Sequence, residues 1–158
     1  RRIAERIPVA YLLKEAWLAG HRFYVDRRVI IPRSHIAALL QEKMRPWLKR
    51  PPRRILDLCT GSGCLAILAA LAFPRAKVDA IDLSRPALAV ARRNVIGYRV
   101  NGRVRLVESD LFDAVAALRY DLIIANPPYV TSRAMRKLGV SSRTALAVAT
   151  MERGEEQD

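Results

Sequence analysis

Long apolar runs and a secretion-type amino terminus are both missing from this sequence of 158 residues. No apolar run approaches the roughly 18 residues that a membrane-spanning helix needs, and residues 1–6 do not form a signal peptide. The chain also lacks an initiator methionine. We therefore expect an intracellular, cytoplasmic protein with no membrane partner.

Cysteine and histidine are scarce, with two residues of each type. Cys59 and Cys64 flank a glycine loop at a spacing that fits neither a disulfide framework nor a zinc site with two cysteine pairs. His21 and His35 are isolated from other potential ligands. The sequence therefore predicts no metal site, and we expect both cysteines to be small, buried packing residues.

Acidic residues are also few, 15 against 28 basic ones, which gives a net charge of +13. Such a charge favours an anionic partner, such as ribosomal RNA or a ribosome surface. Lysine supplies only five of the 28 basic residues, however, and an arginine-rich composition can also reflect coding bias. Both interpretations stay open. The hydrophobic content of 51% predicts one globular domain.

Strand and helix patterns alternate through the second half of the chain. Apolar, β-branched runs predict strands, and longer apolar stretches behind Gly63 and Ser84 predict helices. This order is typical of an α/β fold with a parallel sheet. The predicted elements are strands 55–59, 78–82, 104–107 and 120–125, and helices 65–73, the one capped by Ser84, and 111–118.

The amino-terminal third reads differently. Two short β-rich stretches, residues 20–25 and 29–31, predict a hairpin that turns at residues 26–28. Ser34 is a good cap for a helix whose apolar residues continue to Leu48. We divide the chain into the remnant of a helical domain (1–18), a hairpin connector (19–33) and a main domain (34–158).

The tetrapeptide Asn126-Pro127-Pro128-Tyr129 follows the last predicted strand. Ligands bind at the carboxyl ends of strands in an open α/β sheet. The Asn126 side-chain oxygen and the Pro127 carbonyl can both accept hydrogen bonds from one planar NH2 group, with the Tyr129 ring as a stacking wall. This pattern favours an amide or an aromatic amine as substrate, although an isolated tetrapeptide of this kind can also be a simple rigid turn.

Acidic residues mark the other strand ends. Gly61 and Gly63 allow close backbone approach of a ligand, and this spacing also satisfies the dinucleotide fingerprint. Asp82 is placed to accept from ribose hydroxyls, Asp110 to reach an adenine amino group, and Asp57 to face an ammonium. These groups together describe S-adenosylmethionine better than NAD. The candidate cofactor residues are Asp57, Thr60, Gly61, Gly63, Asp82, Asp110 and Asn126.

The words Asp57-Leu58-Cys59-Thr60-Gly61-Ser62-Gly63 and Asn126-Pro127-Pro128-Tyr129 resemble those of Rossmann-type methyltransferases that modify planar nitrogens. Short motifs in the amino-terminal part resemble one branch, the PrmB-type glutamine methyltransferases of the HemK/PrmC-like family. These motifs are residues 6–12, 15–17, 20–21, 23–26 and 31–34. The resemblance implies a Rossmann-like class I methyltransferase fold and cofactor contacts at the acids and glycines. It further implies substrate contacts at Asn126, Pro127 and Tyr129, and a glutamine of ribosomal protein L-three as methyl acceptor.

The sequence also departs from that branch. The branch carries a helical domain before residue 1 and further strands beyond residue 158, and its Glu-Pro segment is absent from residues 131–150. We therefore expect an incomplete parallel sheet of four strands, whose last strand is an unpaired, sticky edge. An adenine methyltransferase acting on DNA or RNA, and an inactive truncated remnant, remain the alternatives.

Overall fold

A parallel β-sheet organises the fold. The computed structural model describes residues 7–126 and the backbone of residues 145–148. In chain order the elements are α1 (Val9–Leu13), β1 (Glu15–Leu18), β2 (His21–Tyr24), α2 (Ile36–Gln41), β3 (Arg54–Leu58), α3 (Cys64–Ala72), β4 (Lys77–Asp82), α4 (Arg85–Gly97), β5 (Val104–Glu108), a 3-10 turn (Asp113–Val115), β6 (Leu122–Ala125) and β7 (Ala145–Val148).

The sheet has the order β5-β4-β3-β6-β7, and all of its pairs are parallel. Strand β3 lies in the centre, where Leu58 pairs with Ile81 on one side and with Ala125 on the other. Its residues 55–58 are all buried because helices and loops cover both faces of a parallel sheet. The predicted α/β class with a parallel sheet is confirmed.

Strand β6 is not an edge strand, so the prediction of an unpaired last strand was wrong. It pairs along its length with β7, from Leu122 opposite Ala145 to Ala125 opposite Val148. The short apolar segment 145–148 is separated from β6 by many residues, and no local sequence pattern predicts that it pairs with β6. The expected self-association through an open β6 edge loses its structural basis.

The structure has an amino-terminal hairpin, but its two strands are not the predicted pair. The prediction paired residues 20–25 with 29–31, whereas the structure pairs Glu15–Leu18 with His21–Tyr24. Strands β1 and β2 are antiparallel, with Leu18 opposite His21, and they turn at Ala19 and Gly20, which both have positive φ angles of 51° and 76°. Two successive positive φ angles suit the tight two-residue turn of a hairpin. Residues 29–31 form no strand, and the segment 15–18, assigned to a helical remnant, is extended.

The helices agree with the sequence where capping signals are strong. Ser84 accepts a hydrogen bond from the Ala87 backbone N–H (3.2 Å) and begins α4, with a proline in its first turn, as predicted. Helix α2 stops at Gln41, well before Leu48, and the chain then turns through two residues with positive φ. The predicted helix at 111–118 is reduced to one 3-10 turn.

The hydrophobic core occupies both faces of the sheet. Helix α3 is buried along seven consecutive residues, 64–70, on the face to which Ile55 of β3 also contributes. Leu56 and Leu58 pack on the other face with Ile81 and Val115. Because side chains alternate along a strand, Asp57 points to the same face as Ile55, towards the start of α3. This alternation places a carboxylate inside the core.

Candidate functional site

A cavity of about 370 Å³ opens at the carboxyl ends of four strands. Parallel strands bring their carboxyl ends to one edge of the sheet, so loops that are far apart in sequence meet there. The segment 28–33, which leads from the hairpin to α2, forms a further wall. The lining loops are residues 59–62 after β3, 82–84 after β4, 109–111 after β5, and Asn126 after β6.

The two glycines of the loop after β3 have different structural roles. Both adopt positive φ angles, 55° at Gly61 and 78° at Gly63. A Cβ atom added to Gly63 would lie 3.0 Å from the Cβ atom of Ala91 on α4, whereas one added to Gly61 meets nothing within 4 Å. Gly61 lines the cavity and Gly63 does not. We infer that Gly63 permits helix packing and that Gly61 leaves room for a ligand.

Asp57 of β3 is almost fully buried and is not among the residues that line the cavity. Its Oδ2 atom accepts hydrogen bonds from the Thr60 hydroxyl (2.6 Å) and the Ala66 backbone N–H (3.1 Å), while Oδ1 is buried without a partner among the described residues. Burial, assisted by the nearby charge of Asp82, raises the pKa of Asp57 to about 7 despite these two hydrogen bonds. A cation beside Oδ1 would supply the missing partner. The role of Asp57 towards an ammonium stays a prediction; its hydrogen-bond partner Thr60 does line the cavity.

Asp82 ends β4 and lines the cavity. Its Oδ2 atom accepts the Gly61 backbone N–H (2.9 Å) and its Oδ1 atom accepts that of Ser84 (2.9 Å). Each carboxylate oxygen has a second lone pair, so two further donors can still bind. This orientation, held from both neighbouring loops, suits a pair of ribose hydroxyls.

Asp110 follows β5, lies on the cavity wall, and is exposed. Its position is held by the backbone, because the Ser109 N–H donates to the Asp82 carbonyl (3.1 Å) and the Asp113 N–H donates to the Asp110 carbonyl (3.2 Å). Within residues 7–126 its carboxylate accepts no hydrogen bond. The structure thus brings Asp82 and Asp110 to one cavity, as the sequence predicted.

Asn126 lies at the carboxyl end of β6 and lines the same cavity. Its Nδ2 atom donates a hydrogen bond to the Arg33 backbone carbonyl (3.0 Å). Since a carbonyl can only accept, the amide group must face it with NH2, which leaves Oδ1 on the other side. That oxygen is buried and has no partner among the described residues. The predicted partners of Asn126 in substrate binding, Pro127 and Tyr129, lie outside the described residues.

Asn94 of α4 is a residue that the sequence reasoning missed. Its Oδ1 atom accepts the Tyr24 backbone N–H (2.7 Å), and its Nδ2 atom donates to the Tyr24 and Ser62 carbonyls (both 2.9 Å). This buried side chain therefore joins the hairpin, α4 and the glycine loop. Its contacts span 70 and 32 residues of sequence, so no local motif could have identified it.

The cysteines differ from each other. Cys64 is buried as predicted, whereas Cys59 is only half-buried, and both line the cavity. Burial raises the pKa of the Cys59 thiol to about 11 and that of Cys64 to about 12. Both thiols are therefore protonated near neutral pH and are poor nucleophiles.

Metal-binding clusters and membrane-spanning helices are both absent from residues 7–126 and 145–148. No group of three or more histidine, cysteine, aspartate or glutamate side chains there could hold a metal ion. None of the helices in that part of the chain is long and apolar enough to cross a membrane.

Comparison with known proteins identifies clear relatives. The family description "methyltransferase small domain" matches residues 36–154. A protein from Bordetella pertussis named ribosomal protein uL3 glutamine methyltransferase is 56% identical over 151 residues, which covers 94% of this chain and 51% of the relative. A protein of the same name from Burkholderia pseudomallei is 53% identical over 152 residues, covering 90% of this chain and 50% of the relative. The chain thus spans about half the length of the curated relatives it matches.

Among solved structures, TrmN from Thermus thermophilus is similar in fold, with a TM-score of 0.57 and 28% sequence identity. The match covers 73% of this chain and 38% of TrmN. The shared region exceeds the extent of any one motif, so the likeness concerns the arrangement of the sheet and its helices.

Proposed function

Because this chain belongs to the methyltransferase small domain family, we propose that it transfers a methyl group from S-adenosylmethionine to a glutamine side-chain amide of a large-subunit ribosomal protein. Family membership confirms the predicted Rossmann-like class I methyltransferase fold and the predicted cofactor class, S-adenosylmethionine. The substrate is proposed from the names of the two curated relatives, both uL3 glutamine methyltransferases. A cytoplasmic location and contact with ribosomal RNA are further parts of the proposal.

The observation that carries the proposal is the state of the Asn126 side chain. Its NH2 group donates to the Arg33 carbonyl, and its Oδ1 atom is a buried acceptor that has no donor among the described residues. A buried polar atom without a partner is unfavourable by about 1–3 kcal/mol, so this oxygen is poised to receive a donor from a ligand. A primary amide supplies such a donor on a planar nitrogen. Glutamine therefore matches the chemistry of this position.

The residues around the cavity suit the cofactor in three places. Among the described residues, Asp57 has a buried oxygen without a partner for a cation, Asp82 keeps lone pairs for two hydroxyls, and a Cβ atom added at Gly61 would meet nothing within 4 Å. When bound, S-adenosylmethionine supplies an electrophilic methyl group on a positively charged sulfur. We assign Asp57, Thr60, Gly61, Gly63, Asp82 and Asp110 to holding it, with Gly63 acting through the packing of the loop.

The protein's part in the reaction is to hold the acceptor nitrogen. An amide nitrogen is a weak nucleophile because its lone pair is shared with the carbonyl, the resonance that also gives the peptide bond its barrier of ~18–20 kcal/mol. A hydrogen bond from the substrate NH2 to Asn126 Oδ1 fixes the nitrogen and stabilises the positive charge that it gains as it forms its bond to carbon. The proton can leave afterwards to solvent. Alignment of the reacting atoms contributes up to roughly 7–11 kcal/mol in well-oriented systems.

The test compares Asn126→Ala with a matched control, Asn101→Ala, which removes an exposed asparagine from a turn outside the cavity. We expect Asn126→Ala to lower turnover by about 10²–10³-fold while cofactor affinity stays nearly unchanged, because one preorganised polar group is lost. The control should keep full turnover. Both variants are measured in this chain and in a version extended to the length of the curated relatives.

Mass spectrometry after incubation with methyl-labelled cofactor identifies the acceptor. Purified large-subunit ribosomal protein, DNA and RNA are offered side by side. Label on a glutamine of the ribosomal protein supports the proposal. Label on adenine without label on glutamine would identify the adenine-modifying alternative, and cofactor binding without any transfer in the extended version would identify the inactive one.

A further inference from the structure

A second cavity, of about 440 Å³, lies at the opposite edge of the sheet from the candidate site. It is bounded by the turns after α2, by Pro51 and Pro52 before β3, and by residues 72–75 before β4. Because these segments precede β3 and β4, the cavity lies at the amino ends of the strands. The length of β3, five residues or about 16 Å, separates the two edges.

This amino-edge groove is lined by basic residues and by no acidic one. Its cations are Lys43, Arg45, Lys49, Arg50 and Arg75, all exposed, and its remaining lining residues are uncharged. The floor is apolar and rigid, since it contains the two prolines and the buried Phe73. The groove therefore concentrates five positive charges around a firm surface.

These charges are not balanced by the protein. Within the described residues, the side chains of Lys43, Arg45, Lys49 and Arg75 make no ion pair or hydrogen bond. Arg50 lies near Asp121, but that carboxylate already accepts the backbone N–H groups of Arg53 and Arg54 (2.8 and 3.0 Å). Five arginines elsewhere in the described residues do have carboxylate partners, as Arg105 has in Asp79 (2.7 Å). Clustered like charges repel one another, so this cluster does not stabilise the fold. A bound polyanion would relieve the repulsion.

An exposed aromatic residue adjoins the groove. Trp47 lies in the chain between Arg45 and Lys49, two of the groove cations, and its side chain is 61% exposed. A tryptophan beside a track of cations is typical of surfaces that bind single-stranded nucleic acid, where bases stack on the ring and phosphates meet the cations. A membrane surface would instead require a broad apolar face, which this groove lacks.

We propose that the amino-edge groove binds a single-stranded nucleic acid, with its five cations contacting phosphates and Trp47 stacking on a base. This site is separate from the methyl-transfer site and does not depend on the identity of the methyl acceptor. Nucleic acid bound there leaves the carboxyl edge of the sheet free for cofactor and substrate.

Fluorescence anisotropy with a labelled single-stranded RNA of ~12 nucleotides tests the groove. For five phosphate contacts, the slope of log affinity against log salt should be about −3.5, and the double variant Lys49→Gln/Arg50→Gln should make it shallower by about 1.4. Trp47→Ala should weaken binding by about tenfold at fixed salt and leave the slope unchanged, because it removes a stacking contact and no charge. A second pair, Lys43→Gln/Arg75→Gln, should repeat the change of slope.

The matched control is Arg92→Gln/Arg119→Gln, which removes the same charge from exposed residues outside the groove. It should retain both affinity and slope, and all variants should bind S-adenosylmethionine as the parent chain does. An equal loss in the control pair would overturn the proposal, because net charge alone would explain binding. Equal competition by a polyglutamate peptide, with no effect of Trp47→Ala, would also overturn it and identify an acidic protein as the partner class.

Discussion

Substitution of Gly63 by alanine separates packing from ligand binding in the glycine loop. The φ angle of 78° at this position is unfavourable for a residue with a Cβ atom by roughly 1–2 kcal/mol. In addition, the new Cβ atom would lie 3.0 Å from Ala91 Cβ and 3.3 Å from Ala91 Cα. The second contact is with helix backbone, which cannot rotate away, and overpacking of this kind is destabilising by typically 1–3 kcal/mol.

We therefore expect Gly63→Ala to lower the free energy of unfolding by about 2–5 kcal/mol, a large part of the ~5–15 kcal/mol of a typical domain. Gly61→Ala is the internal control. Its φ angle of 55° imposes a similar backbone strain, but its Cβ atom would meet nothing within 4 Å. This variant should lose only roughly 1–2 kcal/mol. Because Gly61 lines the cavity, its main effect should be weaker binding of S-adenosylmethionine.

Urea denaturation of the two single variants, of Ala91→Gly and of the double variant Gly63→Ala/Ala91→Gly measures the steric part directly. Removal of the opposing methyl group relieves the 3.0 Å contact, so the two substitutions should be coupled by about 1–2 kcal/mol in the favourable direction. Equal destabilisation by Gly61→Ala and Gly63→Ala, together with no coupling to Ala91→Gly, would refute the steric argument.

Three further predictions concern the site. Burial raises the pKa of Asp57 from the usual 3.8 to about 7, so between these pH values the folded chain holds a proton that the unfolded chain has lost; its contribution to stability should fall as pH rises from about 4 to 7. Affinity for the cofactor ammonium requires the ionised form and should rise with pH up to about 7 in calorimetric titrations, whereas Asp57→Asn should remove this dependence. Asp82→Ala should weaken S-adenosylmethionine binding by ~1.5–3 kcal/mol in the same assay, because charged acceptors are lost, and tight binding of NAD with no response to S-adenosylmethionine would contradict the cofactor assignment. Asn94→Ala should lower the free energy of unfolding by roughly 2–5 kcal/mol in denaturation, since it leaves buried backbone groups of Tyr24 and Ser62 without partners. Asn94→Asp should lose at least as much, because its buried carboxylate can only accept and would face the Tyr24 and Ser62 carbonyls; little loss in either variant would show that these bonds contribute little.

Local patterns in the sequence were sufficient for the parts of the fold that depend on neighbouring residues. Apolar runs marked the central strands to within one or two residues, and Ser84 marked the start of α4, because strand burial and capping are short-range effects. The acids at 82 and 110 could be assigned to one edge, since parallel strands place their ends together. Predictions that depended on weaker local signals were wrong. Helix α2 ended early, and the hairpin turned at Ala19 and Gly20.

Contacts between distant segments were decided only by the tertiary structure. The Arg33 carbonyl orients Asn126 from 93 residues away, and Asn94 joins Tyr24 to the glycine loop across 70 residues. Every residue has a backbone carbonyl, so the sequence does not predict which carbonyl accepts a hydrogen bond from a particular side-chain amide. The pairing of β7 with β6 has the same origin, because a short apolar segment can pair with any open strand edge of suitable direction. The sequence by itself determined which chemical groups stand at the strand ends, whereas the three-dimensional packing determined which of their atoms are left without a partner.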